Sequence, residues 1–210
     1  MKHNFILTED VFRAWGNRFT PIEAPLIEWA QQFQRSDADA LDIGAHVGDW
    51  AVDMCQHSRT VHAFEPQLST SRLLFANCKL YKNIRVHPVA LSDDDGAKVL
   101  HINSTDGGSS SLLETPMHAA AACEPVIVHK LDQYKLTNVA LIKLDVEGNE
   151  RKVIRGGLQV LQDSGWPRII FESWSYPWHA EERAALMAYL DVLGYKVYAI
   201  NWPDMFLAEH

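Results

Sequence analysis

The stretch Ala40-Leu41-Asp42-Ile43-Gly44-Ala45-His46-Val47-Gly48 sets the architecture. Its first half is a short apolar run that stops at a glycine, the pattern of a strand covered on both faces. Its second half is a turn, after which Val47 to Gln56 reads as a helix. The alternation then repeats toward the C-terminus. Thr60 to Glu65 is a second strand closed by Pro66, Ser69 to Leu80 a helix, and Ile84 to Leu91 a third strand. Ala140 to Leu144 is a fourth, Glu150 to Leu161 a helix and Arg168 to Phe171 a fifth strand. Glu181 to Leu193 is the best-defined helix, with Leu186, Leu190 and Leu193 aligned and Gly194 as its stop. Strands alternating with helices imply a parallel sheet covered on both sides.

Two regions depart from that rhythm. Lys98 to Asn103 and Val126 to His129 are β-like and flank a polar loop, Asp106-Gly107-Gly108-Ser109-Ser110-Ser111. Near the C-terminus, Lys196 to Ile200 and Met205 to Ala208 are joined by only Asn201-Trp202-Pro203-Asp204. Four residues cannot carry a crossover helix, so these two strands are antiparallel. A nicotinamide-type Rossmann sheet is fully parallel. A sheet that closes with an antiparallel hairpin is that of an S-adenosylmethionine (SAM) methyltransferase. The expected fold is therefore α/β and Rossmann-like: the class I methyltransferase fold, with a mostly parallel seven-stranded sheet and a C-terminal antiparallel hairpin. Residues 1–35 form a short N-terminal helical leader, with Leu26, Trp29, Ala30 and Phe33 at helical spacing, and 36–210 form the catalytic domain.

Composition bounds the function. The chain has 210 residues, 47% hydrophobic and 22% charged, enough for one folded domain. Its formal charge of −8 disfavours nucleic acid and anionic membranes as partners. Phe5 to Leu7 is too short an apolar run for a signal peptide, and nothing approaches the ~20 apolar residues of a membrane span. A cytoplasmic protein is expected. Cys55, Cys78 and Cys123 lack Cys-x-x-Cys spacing, which argues against a disulfide framework or a zinc site.

Ligands of open α/β sheets bind beyond the carboxyl ends of the strands. Gly44 and Gly48 are spaced Gly-x-x-x-Gly, not the Gly-x-Gly-x-x-Gly of NAD and FAD sites, and no P-loop Lys-Ser/Thr follows. Glu65 ends the second strand 21 residues beyond Gly44, where a carboxylate accepts both hydroxyls of a ribose. A carboxylate also suits a cationic sulfonium. Strand four ends Lys143-Leu144-Asp145-Val146-Glu147, and alternation turns its three charged residues the same way. Buried charges so placed need partners or a ligand; a salt-bridge network is the rival explanation. Glu172 follows strand five.

These pieces resemble the FkbM family of SAM-dependent methyltransferases. The resemblance rests on Leu41–Gly48 (L-D-I-G-A-H-V-G), His62–Pro66 (H-A-F-E-P), Ala90–Asp93 (A-L-S-D) and Ile142–Glu150 (I-K-L-D-V-E-G-N-E). Gly108–Leu112 and Phe171-Glu172 add to it, so that it spans roughly residues 38–175. His46 stands where such proteins often have asparagine or another small polar residue. The resemblance implies SAM as methyl donor, S-adenosylhomocysteine as product, and a hydroxyl acceptor on a sugar or natural-product-like molecule. It implies donor binding by Asp42, Gly44, Ala45, His46, Gly48, Glu65, Pro66 and Asp145, with Ala90 and Leu91 lining the adenine pocket. The catalytic set is Glu147 as first candidate for the base, Glu172 as second, and Lys143. Asp145 is expected to orient the SAM amino group or Lys143. No metal is expected, although Asp and Glu with a diol could hold Mg²⁺. Ser109–Ser111 is a candidate lid hinged on Gly107-Gly108, and Trp174, Tyr176, Trp178 and His179 a candidate sugar-stacking loop. Trp202 is expected to be packing. The competing functions are transfer to RNA or protein, and a SAM-binding scaffold without turnover.

Overall fold

The computed structural model describes residues 5–9, 23–102, 108–114, 116 and 122–210. In chain order its strands are β1 (Asp39–Ile43), β2 (Val61–Phe64), β3 (Ile84–His87), β4 (Ala90–Leu91) and β5 (Gly96–Ile102). They continue as β6 (Ala122–His129), β7 (Val139–Leu144), β8 (Arg168–Glu172), β9 (Lys196–Ala199) and β10 (Met205–Glu209). The helices are α1 (Ala24–Ala30), α2 (Asp49–Met54), α3 (Leu68–Cys78), α4 (Glu150–Gly156), α5 (Leu158–Asp163) and α6 (Ala180–Val192).

All five residues of β1 are buried, as a central strand between two helical layers requires. The main sheet has seven strands in the order β3-β2-β1-β7-β8-β10-β9. The first five are mutually parallel, whereas β10 runs antiparallel to both β8 and β9. One apolar layer gathers Leu26, Ile27 and Ala30 of α1 with Trp50, Met54 and Leu74. The other gathers Leu41, Ile43 and Leu144 with Ile154, Leu161, Leu186 and Leu190. The leader helix thus belongs to the core. Its buried face is Leu26, Ile27 and Ala30. Trp29, expected on that face, is 36% exposed, and Phe33 lies in the 3₁₀ turn that follows, under the Arg168 guanidinium.

Three elements differ from the sequence expectation. The third strand is two. Pro88 has no N–H to continue a ladder, and the chain turns there, with Val89 N–H donating to His87 C=O at 2.9 Å. Ala90-Leu91 then pairs in parallel with β6 in a second sheet of order β4-β6-β5. The expected Glu150–Leu161 helix is also two. A Cβ at Gly156 would lie 2.0 Å from the Ser92 carbonyl oxygen, so glycine alone permits this approach. The helix after the glycine turn starts at Asp49 and ends at Met54, shorter than Val47 to Gln56. Among the described residues, no helix is long and apolar enough to cross a membrane.

Candidate active site

The site begins where β1 and β7 separate. Asp145 N–H still donates to Ile43 C=O at 3.0 Å, and then the two chains diverge around Gly44. Gly44 has φ +81°, and a Cβ there would sit 1.7 Å from the Asp145 carbonyl oxygen. The turn beyond it carries His46 at φ 49°. Its N–H donates to Glu65 Oε2 at 3.1 Å, while Gln67 N–H donates to Oε1 at 2.9 Å. Two strand ends are thereby stitched together through one carboxylate. Burial pushes the Glu65 carboxyl up to about 7, against the His46 charge and these two bonds.

A cleft of ≈ 330 Å³ opens along this seam. Of the residues expected to bind or act there, Gly44, His46, Glu65, Pro66, Ala90, Leu91, Lys143, Asp145 and Glu147 line it. Asp42, Ala45, Gly48 and Glu172 do not. Asp42 is fully buried one layer below, 3.7 Å from Lys143 Nζ. Ala45 and Gly48 are buried in the turn and shape it through the backbone. The Lys143 ammonium donates to Gly44 C=O at 2.7 Å and lies 3.3 Å from Asp145 Oδ2. Burial works against its charge, but Asp145, Asp42 and Glu23 outweigh it and hold it above the ordinary lysine range. Burial likewise pushes Asp42 up to about 7 in spite of Lys143.

Glu147 reaches the cleft by a different route from the one alternation suggests. β7 ends at Leu144, and Glu147 sits in a left-handed turn at φ 57°. Glu150 holds that turn: its Oε1 accepts from Val146 N–H (3.2 Å) and Gly148 N–H (3.0 Å). Burial, Asp145 and Glu150 raise the Glu147 carboxyl well above its ordinary value, opposed by Lys143 and a hydrogen bond from Trp174. Glu172 stands behind it, pushed up to about 11 by burial and by the charges of Asp145, Glu147 and Glu150. One oxygen from each of Asp145, Glu147 and Glu172 lies within 4.8 Å of the others. These hard oxygen donors are of the kind Mg²⁺ or Ca²⁺ takes. They can equally settle their repulsion by holding protons.

Several cleft residues escaped the sequence reading. Glu23, Asp49, Trp50, Leu100, Asn149 and Trp202 all line it. Trp202, expected as packing, does pack against the core and also forms a wall of the cleft. Asn149 lies inside the Ile142–Glu150 motif, and its amide donates to Leu91 C=O at 3.0 Å. Glu23 gives no signal in sequence, because its partner Trp50 is 27 residues away. The expected lid does touch the cleft: Gly108, Ser110 and Leu112 line it. Ser110 Oγ–H donates to Gln67 Oε1 at 2.7 Å, and Ser111 Oγ–H to the Glu147 carbonyl at 2.6 Å. Asp106 and Gly107 lie outside the described residues. The aromatic loop does not line the cleft. Trp174 and His179 are buried, and exposed Tyr176 and Trp178 stack on each other, centroids 5.7 Å apart.

A mostly parallel seven-stranded sheet that closes with an antiparallel hairpin is the class I SAM-dependent methyltransferase fold. The particular family follows from the sequence. Residues 42–197 match the family described as "Methyltransferase FkbM domain", and the chain belongs to it. No curated protein matches the chain. Among solved structures, a SAM-dependent O-methyltransferase of Thermotoga maritima is similar, at TM-score 0.54 and 10% identity over 94% of this chain and 69% of that one. A Streptococcus mutans protein described as a methyltransferase, in complex with S-adenosylhomocysteine, gives 0.51 and 10% over 97% of both chains. A precorrin-6y C5,15-methyltransferase of Geobacter metallireducens gives 0.52 and 10%, over 97% of this chain and 92% of that one. These likenesses are of fold.

The residues present fit SAM. The Glu65 carboxylate, fixed by two backbone N–H groups, offers ribose hydroxyls an oriented acceptor. Ala90, Leu91 and Leu100 give an apolar slot for a purine, and Gly44 leaves the backbone bare. Among the described lining residues, carboxylates outnumber lysine and arginine five to one: Glu23, Asp49, Glu65, Asp145 and Glu147 against Lys143. Such a cleft favours a cationic ligand.

Proposed function

We propose that this protein transfers the methyl group of SAM to a hydroxyl of a sugar or another small natural-product-like molecule. The observation that supports this reading is Glu147, a cleft carboxylate with a raised proton affinity, held rigidly from two sides. Its carbonyl accepts from Ser111, and its side chain from Trp174. SAM supplies an electrophilic methyl group. An alcohol is a weak nucleophile, so its proton needs a destination as the new O–C bond forms. Glu147 in its ionised form takes that proton; Lys143 favours that form, against burial and the charges of Asp145 and Glu150. Asp145 positions Lys143, and Lys143 fixes the Gly44 carbonyl at the floor of the cleft. Holding the acceptor oxygen about 3 Å from the methyl carbon supplies several further kcal/mol.

Nucleic acid is disfavoured by the charge of −8. The test is transfer from SAM carrying a ¹³C methyl group, with sugars and hydroxylated small molecules offered beside RNA and protein. A new O-methyl carbon resonance on a small molecule is expected. Transfer to RNA or protein alone, or SAM binding without any turnover, would overturn the proposal.

A further inference from the structure

The leader segment brings one carboxylate into the cleft that the family motifs do not contain. Glu23 is the residue before α1, and Ile27 N–H of that helix donates to its carbonyl at 2.9 Å. Pro25 in the first turn and the buried Leu26, Ile27 and Ala30 dock the helix on the core. The side chain is aimed by a second anchor. The indole N–H of Trp50, a residue only 1% exposed, donates to Glu23 Oε2 at 2.7 Å. Trp50 belongs to α2, immediately after the glycine turn, so Glu23 is held at the end of the cleft where β1 finishes.

What Glu23 lacks among the described residues is a cation of its own. Its electrostatic neighbours include Asp49 and Asp145, both negative. Lys143 also acts on it, but that ammonium is already taken by the Gly44 carbonyl, Asp42 and Asp145. Among the described residues Glu23 has no ion pair. Burial and the two carboxylates push its carboxyl up to about 7, the behaviour of an acid waiting for a positive partner. A carboxylate anchored by a buried indole, lining a cleft and short of positive charge is built to receive a ligand's cation.

SAM carries two positive groups, the sulfonium and the α-ammonium of its methionine part. Glu65 and the apolar slot take the nucleoside end, which turns the amino-acid end toward β1 and Glu23. We infer that Glu23 is the recognition residue for the α-ammonium of the methyl donor, so that the leader completes the donor site. This inference rests on the SAM reading above. It makes the segment that carries Glu23 and α1 part of cofactor selection as well as part of the core.

The test is isothermal titration of wild type and Glu23→Gln with three ligands. SAM has both cations, S-adenosylhomocysteine keeps only the ammonium, and 5′-methylthioadenosine has neither. Glutamine can still accept from the Trp50 indole, so the variant should melt no lower than wild type. The expected result is an affinity loss of about 10- to 100-fold for SAM and S-adenosylhomocysteine alike, with 5′-methylthioadenosine unchanged. Loss for SAM alone would assign Glu23 to the sulfonium and overturn the inference. Equal loss for all three ligands, or for none, would overturn it as well. Wild-type protein that binds 5′-methylthioadenosine or nothing, but not SAM, would remove the donor reading itself.

Discussion

At Glu147 the backbone and the side chain are constrained independently. The left-handed φ of 57° costs energy for any residue with a Cβ, and the Glu150 carboxylate offsets that cost with two backbone bonds. Glu147→Gln keeps the shape and the Trp174 contact but cannot accept a proton. The expected outcome is unchanged SAM affinity by titration and a fall in kcat of about 10²- to 10⁴-fold. Wild-type turnover in that variant would take Glu147 out of the chemistry. The neighbouring carboxylates also bear on metal use. Lys143 already compensates Asp145, and Glu172 can hold a proton against it, so the trio needs no cation to be stable. Turnover is therefore expected to survive dialysis against EDTA. Activity lost to the chelator and restored by Mg²⁺ would place a cation between Asp145, Glu147 and Glu172.

At the scale of elements, the junction of β1 and β7 is the tightest part of the site. Gly44→Ala would drive a Cβ into the Asp145 carbonyl at a φ that L-residues rarely adopt. Neither strand can move without disturbing the central ladder. A stability loss of more than about 2 kcal/mol in urea unfolding is expected, with weaker SAM binding. Near-wild-type behaviour would show that the junction is softer than its contacts imply. This junction also explains what the sequence made legible. Local patterns decide β1, β2, β7 and β8, because each is an apolar run bounded by Gly, Pro or charge. The turn after β1 and the acid after β2 are short-range signals of the same kind. The breaks at Pro88 and at Gly156-Gly157 were visible as residues, but their effect depends on Ser92, Leu131 and β6, which are distant in sequence. Alternation turns Lys143, Asp145 and Glu147 toward one side, and all three do line the cleft, but Glu147 gets there through a left-handed turn beyond the strand end that alternation does not describe. Glu23 and Trp202 were out of reach, since only the folded chain brings them into the cleft that Gly44 lines.

At the scale of the whole molecule, acid is concentrated at one end of the sheet. Burial raises Glu23, Asp42, Glu65 and Glu150 each to about 7. Their ordinary values are 3.8 for aspartate and 4.5 for glutamate. Between those values and 7 the native state binds more protons than the unfolded chain. Stability from these groups is complete below their ordinary values and is lost as pH rises through 7. The ligand-free protein is thus expected to melt on the order of 5 °C lower at pH 8 than at pH 6. Saturating SAM should narrow that gap by offering the ionised groups a cation. A melting temperature that is flat or rising over this window, read by scanning fluorimetry, would contradict the burial of these acids.

The strand order has a consequence for how the chain can be assembled. β10 lies between β8 and β9 and bonds to both, whereas β9 has no other neighbour among the described residues. Strands therefore cannot be added outward in the order in which a ribosome releases them. Residues 196–199 emerge with nothing to pair with, and the free edge of β8 stays open until the segment after them folds back into the gap. Completion of the sheet is an insertion, and it waits on β10.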